Sequence, residues 1–217
     1  MLIVMSTVRR YDDPCGIARA LDVIGDRWAL LVVRELIFGP KRFVQLREGL
    51  HGISPNVLSQ RLRELEDVGV VRRDVLDPPA SVAIYELTGR GRALEPVLLE
   101  LGRWGSQQTM ASSTELSVSA VLLALKTVFQ PGLLAEATIA LGITGEWYRL
   151  TIRDGSIEVV QARTDRPAVT IETDVATLRA ITLGRQPMSG AERAGRVQLT
   201  GDRDSAERFT RMFIAPS

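Results

Sequence analysis

Two sequence rhythms meet near the middle of this chain, and their meeting marks a break between two folded units. Before residue 105 apolar residues recur at spacings of three and four, the period of helices packed on a core. After residue 117 short runs alternate apolar with polar residues and are broken by turn signals such as Asp154-Gly155, the period of strands. Residues 105–117 are rich in Ser, Thr and Gln and follow neither rhythm, so the 217 residues divide into two units of ordinary domain size. The reading is 1–108 for the first unit, 109–117 for a linker and 118–217 for the second. A composition of 45% hydrophobic and 24% charged residues excludes a disordered or collagen-like chain.

In the first unit residues 15–24 and 28–38 read as helices, the second stopped by Gly39-Pro40. Residues 41–50 repeat the pattern, with Phe43, Leu46 and Leu50 inward. His51-Gly52 then turns the chain into Ser54-Pro55. Ser54 is a good N-cap, because its hydroxyl accepts from a free first-turn amide, and Pro55 suits the first helical position, where no amide is needed. On the helix they open, Leu58, Leu62 and Leu65 share one stripe, while Asn56, Ser59, Gln60 and Arg63 lie opposite. Asn and Gln bond adenine bidentately, Arg does so with guanine, and Ser contacts phosphates or either base. That face therefore has the chemistry of a major-groove reader, the alternative being a solvated helix surface.

The next residues along the chain favour the major-groove reader. Residues 70–76 and 82–87 form a hairpin around Asp77-Pro78-Pro79-Ala80-Ser81, and helix, helix, turn-helix, hairpin is the order of a winged helix-turn-helix. Net charge is only +1, so nucleic-acid binding would rest on locally placed cations, nearly all of them arginine because Lys41 and Lys126 are the only lysines. Lys41, Arg42, Arg72 and Arg73 are candidates for phosphate contacts that position without specifying. Each also reads as an ordinary surface charge.

The run Cys15-Gly-Ile-Ala-Arg-Ala-Leu-Asp-Val-Ile-Gly-Asp-Arg-Trp28, with Gly39-Pro-Lys-Arg-Phe43, Ile53-Ser-Pro-Asn-Val-Leu-Ser-Gln-Arg-Leu62 and Tyr85-Glu-Leu-Thr-Gly-Arg-Gly91, resembles the HxlR-type transcriptional regulators. The resemblance implies a dimeric regulator that binds double-stranded DNA. It departs at the wing tip, where members often carry an arginine after the two prolines and this chain has Ala80-Ser81. A last helix, 92–104, carries Leu94, Val97, Leu98, Leu101 and Trp104 on one side, a wider stripe than a small domain needs. Dimerisation through it would place two reading helices about one DNA turn apart on a palindromic operator, the alternative being packing on its own domain.

Cys15 is the only cysteine and His51 the only histidine, so a zinc cluster or a Ser-His-Asp or Cys-His nucleophile is unsupported. No cofactor, metal or enzymatic activity is expected. Cys15 begins a helix, where a thiol is prone to oxidation, and some HxlR-type proteins sense oxidants through a cysteine at the matching position. It also reads as a small core residue.

The second unit reads as an apolar helix (117–129), strands at 135–142, 147–153, 156–161 and 169–172, a helix at 175–183 capped by Asp174, a strand at 197–200 and a closing helix at 205–213. This order, with Pro167-Ala-Val-Thr-Ile171, Leu178-Arg-Ala-Ile-Thr-Leu-Gly184 and Gly195-Arg-Val-Gln-Leu-Thr-Gly-Asp202, is similar to the sterol-carrier-protein-like domains. The resemblance implies an α/β sandwich with a mixed sheet and an apolar ligand tunnel. Leu122, Leu125, Phe129, Trp147, Ile181, Met188, Phe209 and Met212 are candidates to line it, or plain core. The chain as a whole is thus expected to be an α+β, two-domain, cytoplasmic regulator. It would be a homodimer without membrane insertion, answering to a small apolar or lipid-like effector. The alternatives are a lipid carrier and a thiol-redox regulator acting through Cys15.

Overall fold

The computed structural model describes residues 11–75, 82–107 and 114–213. Both rhythms become structure, each with its own sheet. In the first half α1 (Gly16–Ile24) and α2 (Ala29–Leu36) lead to β1 (Lys41–Arg42), α3 (Phe43–Gly49) and α4 (Pro55–Asp67). The hairpin β2 (Val71–Val75) and β3 (Ala83–Leu87), the short α5 (Gly89–Arg92) and α6 (Glu95–Gly105) complete it. The three strands run antiparallel in the order β1-β3-β2, and Val32, Val33, Leu36, Leu46, Leu58, Leu62 and Leu65 close the core beneath them. This is the winged-helix order expected. The hairpin tip, with Ala80 and Ser81, lies outside the described residues.

The second half places α7 (Val118–Val128) before the strands β4 (Ala137–Ile143), β5 (Glu146–Arg153), β6 (Ser156–Gln161) and β7 (Val169–Thr173). It continues through α8 (Val175–Thr182), α9 (Met188–Arg193), β8 (Val197–Gly201) and α10 (Arg203–Thr210). Its sheet has the order β6-β5-β4-β7-β8 and is mixed, since β4 and β7 are parallel and the other neighbours antiparallel. The β4–β5 and β5–β6 turns place Thr144-Gly145 and Asp154-Gly155 at positive φ, the conformation that tight hairpins need. Along the register Ile139, Leu150 and Val159 meet on the buried face, with Ile171 and Leu141 beside them.

Three local readings change. Lys41 and Arg42 are not helical, because their backbones pair with Tyr85 and Ile84 of β3 and α3 starts only at Phe43. The helix expected over 92–104 is broken at Ala93 and Leu94, since Pro96 near the start of α6 has no amide to give to a preceding turn. No element is expected between the helix at 175–183 and the strand at 197–200, yet α9 forms there with Met188 and Ala191 buried, and Gly195 at φ 68 follows its end.

The halves meet along α7, which packs on both α2 and α6. The Phe38 carbonyl accepts from the Gln161 amide of edge strand β6 at 2.9 Å, and Lys126 of α7 pairs with Glu95 of α6. At the centre of the seam Glu35 has 0% exposure and Lys41 6%. Lys41 Nζ donates to Glu35 Oε2 at 2.8 Å and to Ser119 Oγ at 2.9 Å. Arg34 Nη2 and Ser117 Oγ donate to Glu35 Oε1 at 2.8 and 2.6 Å. The phosphate-contact role assigned to Lys41 is therefore corrected: its ammonium is buried and bonded between the two halves.

Breaking one side of a buried pair leaves the other charge without compensation, which costs about 3–5 kcal/mol, whereas neutralising both is close to neutral. Because Arg34 stays paired with Glu35, Lys41→Met is expected to lower unfolding stability in urea by about 3 kcal/mol, the lower end of that range, and Lys41→Met with Glu35→Gln to recover part of it. Equal losses in the single and double variants would contradict the pairing.

Candidate nucleic-acid interface

Ser54 Oγ accepts from the Val57 amide at 3.3 Å, and Pro55 opens α4 as the sequence anticipates. With Leu58, Leu62 and Leu65 buried, α4 can only turn its other face outward, and Asn56, Gln60 and Arg63 are exposed on it. Ser59 is half-buried at the edge of that face. Gln60 Nε2 rests on Glu64 Oε1 at 2.9 Å, a bond it would exchange for one to a base. Arg61 is drawn back from the face, its Nη1 held by Asp26 Oδ2 at 2.6 Å and Glu64 Oε2 at 2.5 Å, so it fixes α4 against the α1–α2 turn.

Strand register sorts the candidate phosphate contacts. Arg72 pairs with Glu86 across the hairpin and shares its face with Ile84, the partner of Arg42. Arg42 and Arg72 thus lie on one side of the small sheet. Arg73 is opposite Tyr85, on the other face. Arg42, Arg72 and Arg73 are exposed, and Arg72 Nε donates to Glu86 Oε1 at 2.8 Å. Lys41 has left the set for the seam.

The expected dimer stripe divides. Leu98 is buried in its own domain's core and Leu94 is half-buried, whereas Val97 (47%), Leu101 (45%) and Trp104 (63%) stand exposed along α6. Cys15 is exposed at the N-terminus of α1, its amide donating to Asp13 Oδ1 at 2.8 Å. Beside α1 an apolar hollow of about 370 Å³ is lined by Ala20, Val23, Ile24, Val70 and Leu94.

The residues expected to line a tunnel are found in several places. Leu122, Leu125, Phe209 and Met212 are buried in the core of the second half. Half-buried Phe129 packs against that core, and its ring is tilted against Phe213. Trp147 lies apart on β5 beneath the Arg163 guanidinium, 4.6 Å from its ring centre. Ile181 and Met188 do line a groove of about 590 Å³ between the α8–α9 turn and α10, together with Phe213, Arg185 and Arg211. That volume is within the range of about 300–1,000 Å³ common to small-molecule sites.

Sequence reading missed Glu35, Ser117 and Ser119. The available signal was a carboxylate on α2 at the inward spacing set by Val32 and Leu36, where an unpaired charge is not tolerated.

A family model for the HxlR-like helix-turn-helix matches residues 23–113. The HTH-type transcriptional regulator YvaP of Bacillus subtilis is 43% identical over 90 residues, covering 41% of this chain and 82% of YvaP. The chain belongs to the HxlR-like helix-turn-helix family. YodB of the same bacterium, an HTH-type transcriptional regulator, is 40% identical over 88 residues, covering 41% of this chain and 79% of YodB. Among solved structures, the reduced form of YodB is 38% identical, with a TM-score of 0.40, over 43% of this chain and 92% of that one. The redox regulator HypR in its oxidized form is 37% identical, with a TM-score of 0.41, over 45% and 100%. A sterol carrier protein domain model matches residues 138–217. HxlR-like membership carries DNA binding by the helix-turn-helix with it. Among the described residues no helix is long and apolar enough to cross a membrane.

The HxlR-like reading helix should depend on its cap. Ser54→Ala is expected to lower urea stability by about 1 kcal/mol, and Ser54→Asp to restore it. An unchanged midpoint for Ser54→Ala would contradict the cap.

Proposed function

We propose that the protein is a homodimeric transcriptional regulator that reads a palindromic operator with α4 and changes its operator affinity when the second domain takes up a small apolar ligand. The observation that carries this reading is the outward face of α4, where three base-reading side chains, Asn56, Gln60 and Arg63, are exposed on a helix fixed by its cap and its leucine stripe. Arg42, Arg72 and Arg73 supply the surrounding phosphate contacts. Val97, Leu101 and Trp104 supply the face on which a second copy packs, since burying large apolar side chains is favourable and these three stand exposed on the side of α6 away from Leu98.

The division at 109–117 separates reader from ligand domain. Because α7 packs on α6, a ligand that shifts α7 also shifts the dimer helix, and the spacing of the two α4 faces changes with it. Ile181 and Met188 mark the groove in which that ligand lies. A second reading, in which the regulator answers to oxidants, rests on the exposed Cys15 thiol, and HypR is a redox regulator by its own description.

The test begins with a duplex selected by the full chain from a random-sequence library. Each bidentate base contact is worth about 1–3 kcal/mol, so Gln60→Ala with Arg63→Ala is expected to weaken binding to that duplex at least about tenfold. Unchanged binding would leave a carrier whose winged helix serves protein contacts. Leu101→Glu with Trp104→Glu is expected to turn the dimer into a monomer in sedimentation, and a dimer that persists would place the interface elsewhere.

A further inference from the structure

This inference rests on the reading of α4 as the DNA-contacting helix, whose far end Arg61 ties to the α1–α2 turn and whose start follows directly from α3. The helix before it, α3, has only seven residues, too short to hold a direction by its own hydrogen bonds. The turn between them is tight, with the Ile53 amide bonded to the Leu50 carbonyl at 3.1 Å, so α4 moves with α3. The body of α4 is held by its leucine stripe and by Arg61, and whatever anchors α3 sets where the first turn of the reader starts.

Both ends of α3 are anchored by groups that reach into the second domain. At its start Gln45 Oε1 accepts from the Arg42 amide at 2.9 Å, closing the first turn, and Gln45 Nε2 donates to Glu146 Oε1 of β5 at 3.4 Å. The other oxygen of Glu146 accepts from the buried Tyr148 hydroxyl at 2.6 Å. Burial and the two neighbouring carboxylates, Glu146 and Glu35, push the Tyr148 hydroxyl well above its ordinary range, so it remains a donor at any working pH.

At its end the Gly49 carbonyl accepts from Arg34 Nη2 at 3.3 Å, and the Gly49 α-carbon lies so close to Glu35 that a β-carbon there would stand 2.4 Å from Oε2. Only glycine fits against the carboxylate. That carboxylate is bonded in turn to Ser117, the cap of α7, and through Lys41 to Ser119. Ser119 Oγ donates to the Glu35 carbonyl at 3.2 Å, completing the circuit.

We propose that the second domain holds α3 at both ends and so sets the angle at which α4 meets DNA, with Ser119, Glu146 and Tyr148 as positioning residues for operator recognition. None of the three lies on the reading face. Their effect passes through α3, and a displacement of β5 or of the start of α7 reaches the reader by two separate routes.

Ser119→Ala with Tyr148→Phe in the full chain removes one donor from each anchor and keeps the apolar packing. Hydrogen exchange read by mass spectrometry is expected to quicken at least about tenfold in residues 43–49 and 55–60, with β8 and α10 unchanged. Binding to the duplex selected by the wild-type protein is expected to weaken about tenfold, while binding to a duplex of unrelated sequence stays as it was. Faster exchange confined to residues 139–152, with α3 and α4 unchanged, would overturn the proposal, because the side chains would then serve only their own domain. If the wild-type protein selects no duplex, the reading of α4 fails, and the exchange measurement alone still decides whether the second domain holds α3.

Discussion

A carboxylate with no exposed surface must have every lone pair matched or the fold around it is lost, and Glu35 meets that condition only with groups from both halves of the chain. Arg34 and Lys41 come from the winged helix and Ser117 from the cap of α7, while Ser119 bonds Lys41 and the Glu35 backbone carbonyl. Neither half satisfies this site alone. Four features depend on it: the withdrawal of Lys41 from the surface, the glycine at the end of α3, the capping serine of α7 and the seating of α7 on α2.

The reader is left free to be polar because its apolar side is fully used. Leu58, Leu62 and Leu65 fill the core of the first half, Arg61 is tied to Asp26 and Glu64, and the remaining face of α4 has no structural duty. In the second half Leu122, Leu125 and Phe209 fill the interior, and a groove lies beside Ile181 and Met188. A ligand there lies against α8 and α10, and α8 packs on α7, the helix that carries Ser117 and Ser119.

The element order and the reading helix were legible in the sequence because they rest on local signals: a cap at Ser54, a proline at the first helical position, a leucine stripe, and turns at Asp154-Gly155 and Gly195. Lys41 was misplaced for the opposite reason. Its neighbours in sequence, Pro40 and Arg42, suggest a surface, while its partners Glu35 and Ser119 stand 6 and 78 positions away. The sequence leaves core and ligand lining undivided in the second half, because both give the same apolar pattern and only packing separates them. Helix α9 is not legible locally, because Gly190 lowers its helical propensity while the burial of Met188 and Ala191 that favours it comes only from the folded molecule.

The central claim is that the winged helix and the second domain form one cooperative body joined at Glu35. Its most direct test is a urea titration of the full chain read by pulsed hydrogen exchange, with peptides from residues 29–36 and 139–143 measured in the same sample. A body joined in this way loses protection in both at one shared midpoint. Two separate midpoints, with the second domain protected after the first has opened, would contradict the account.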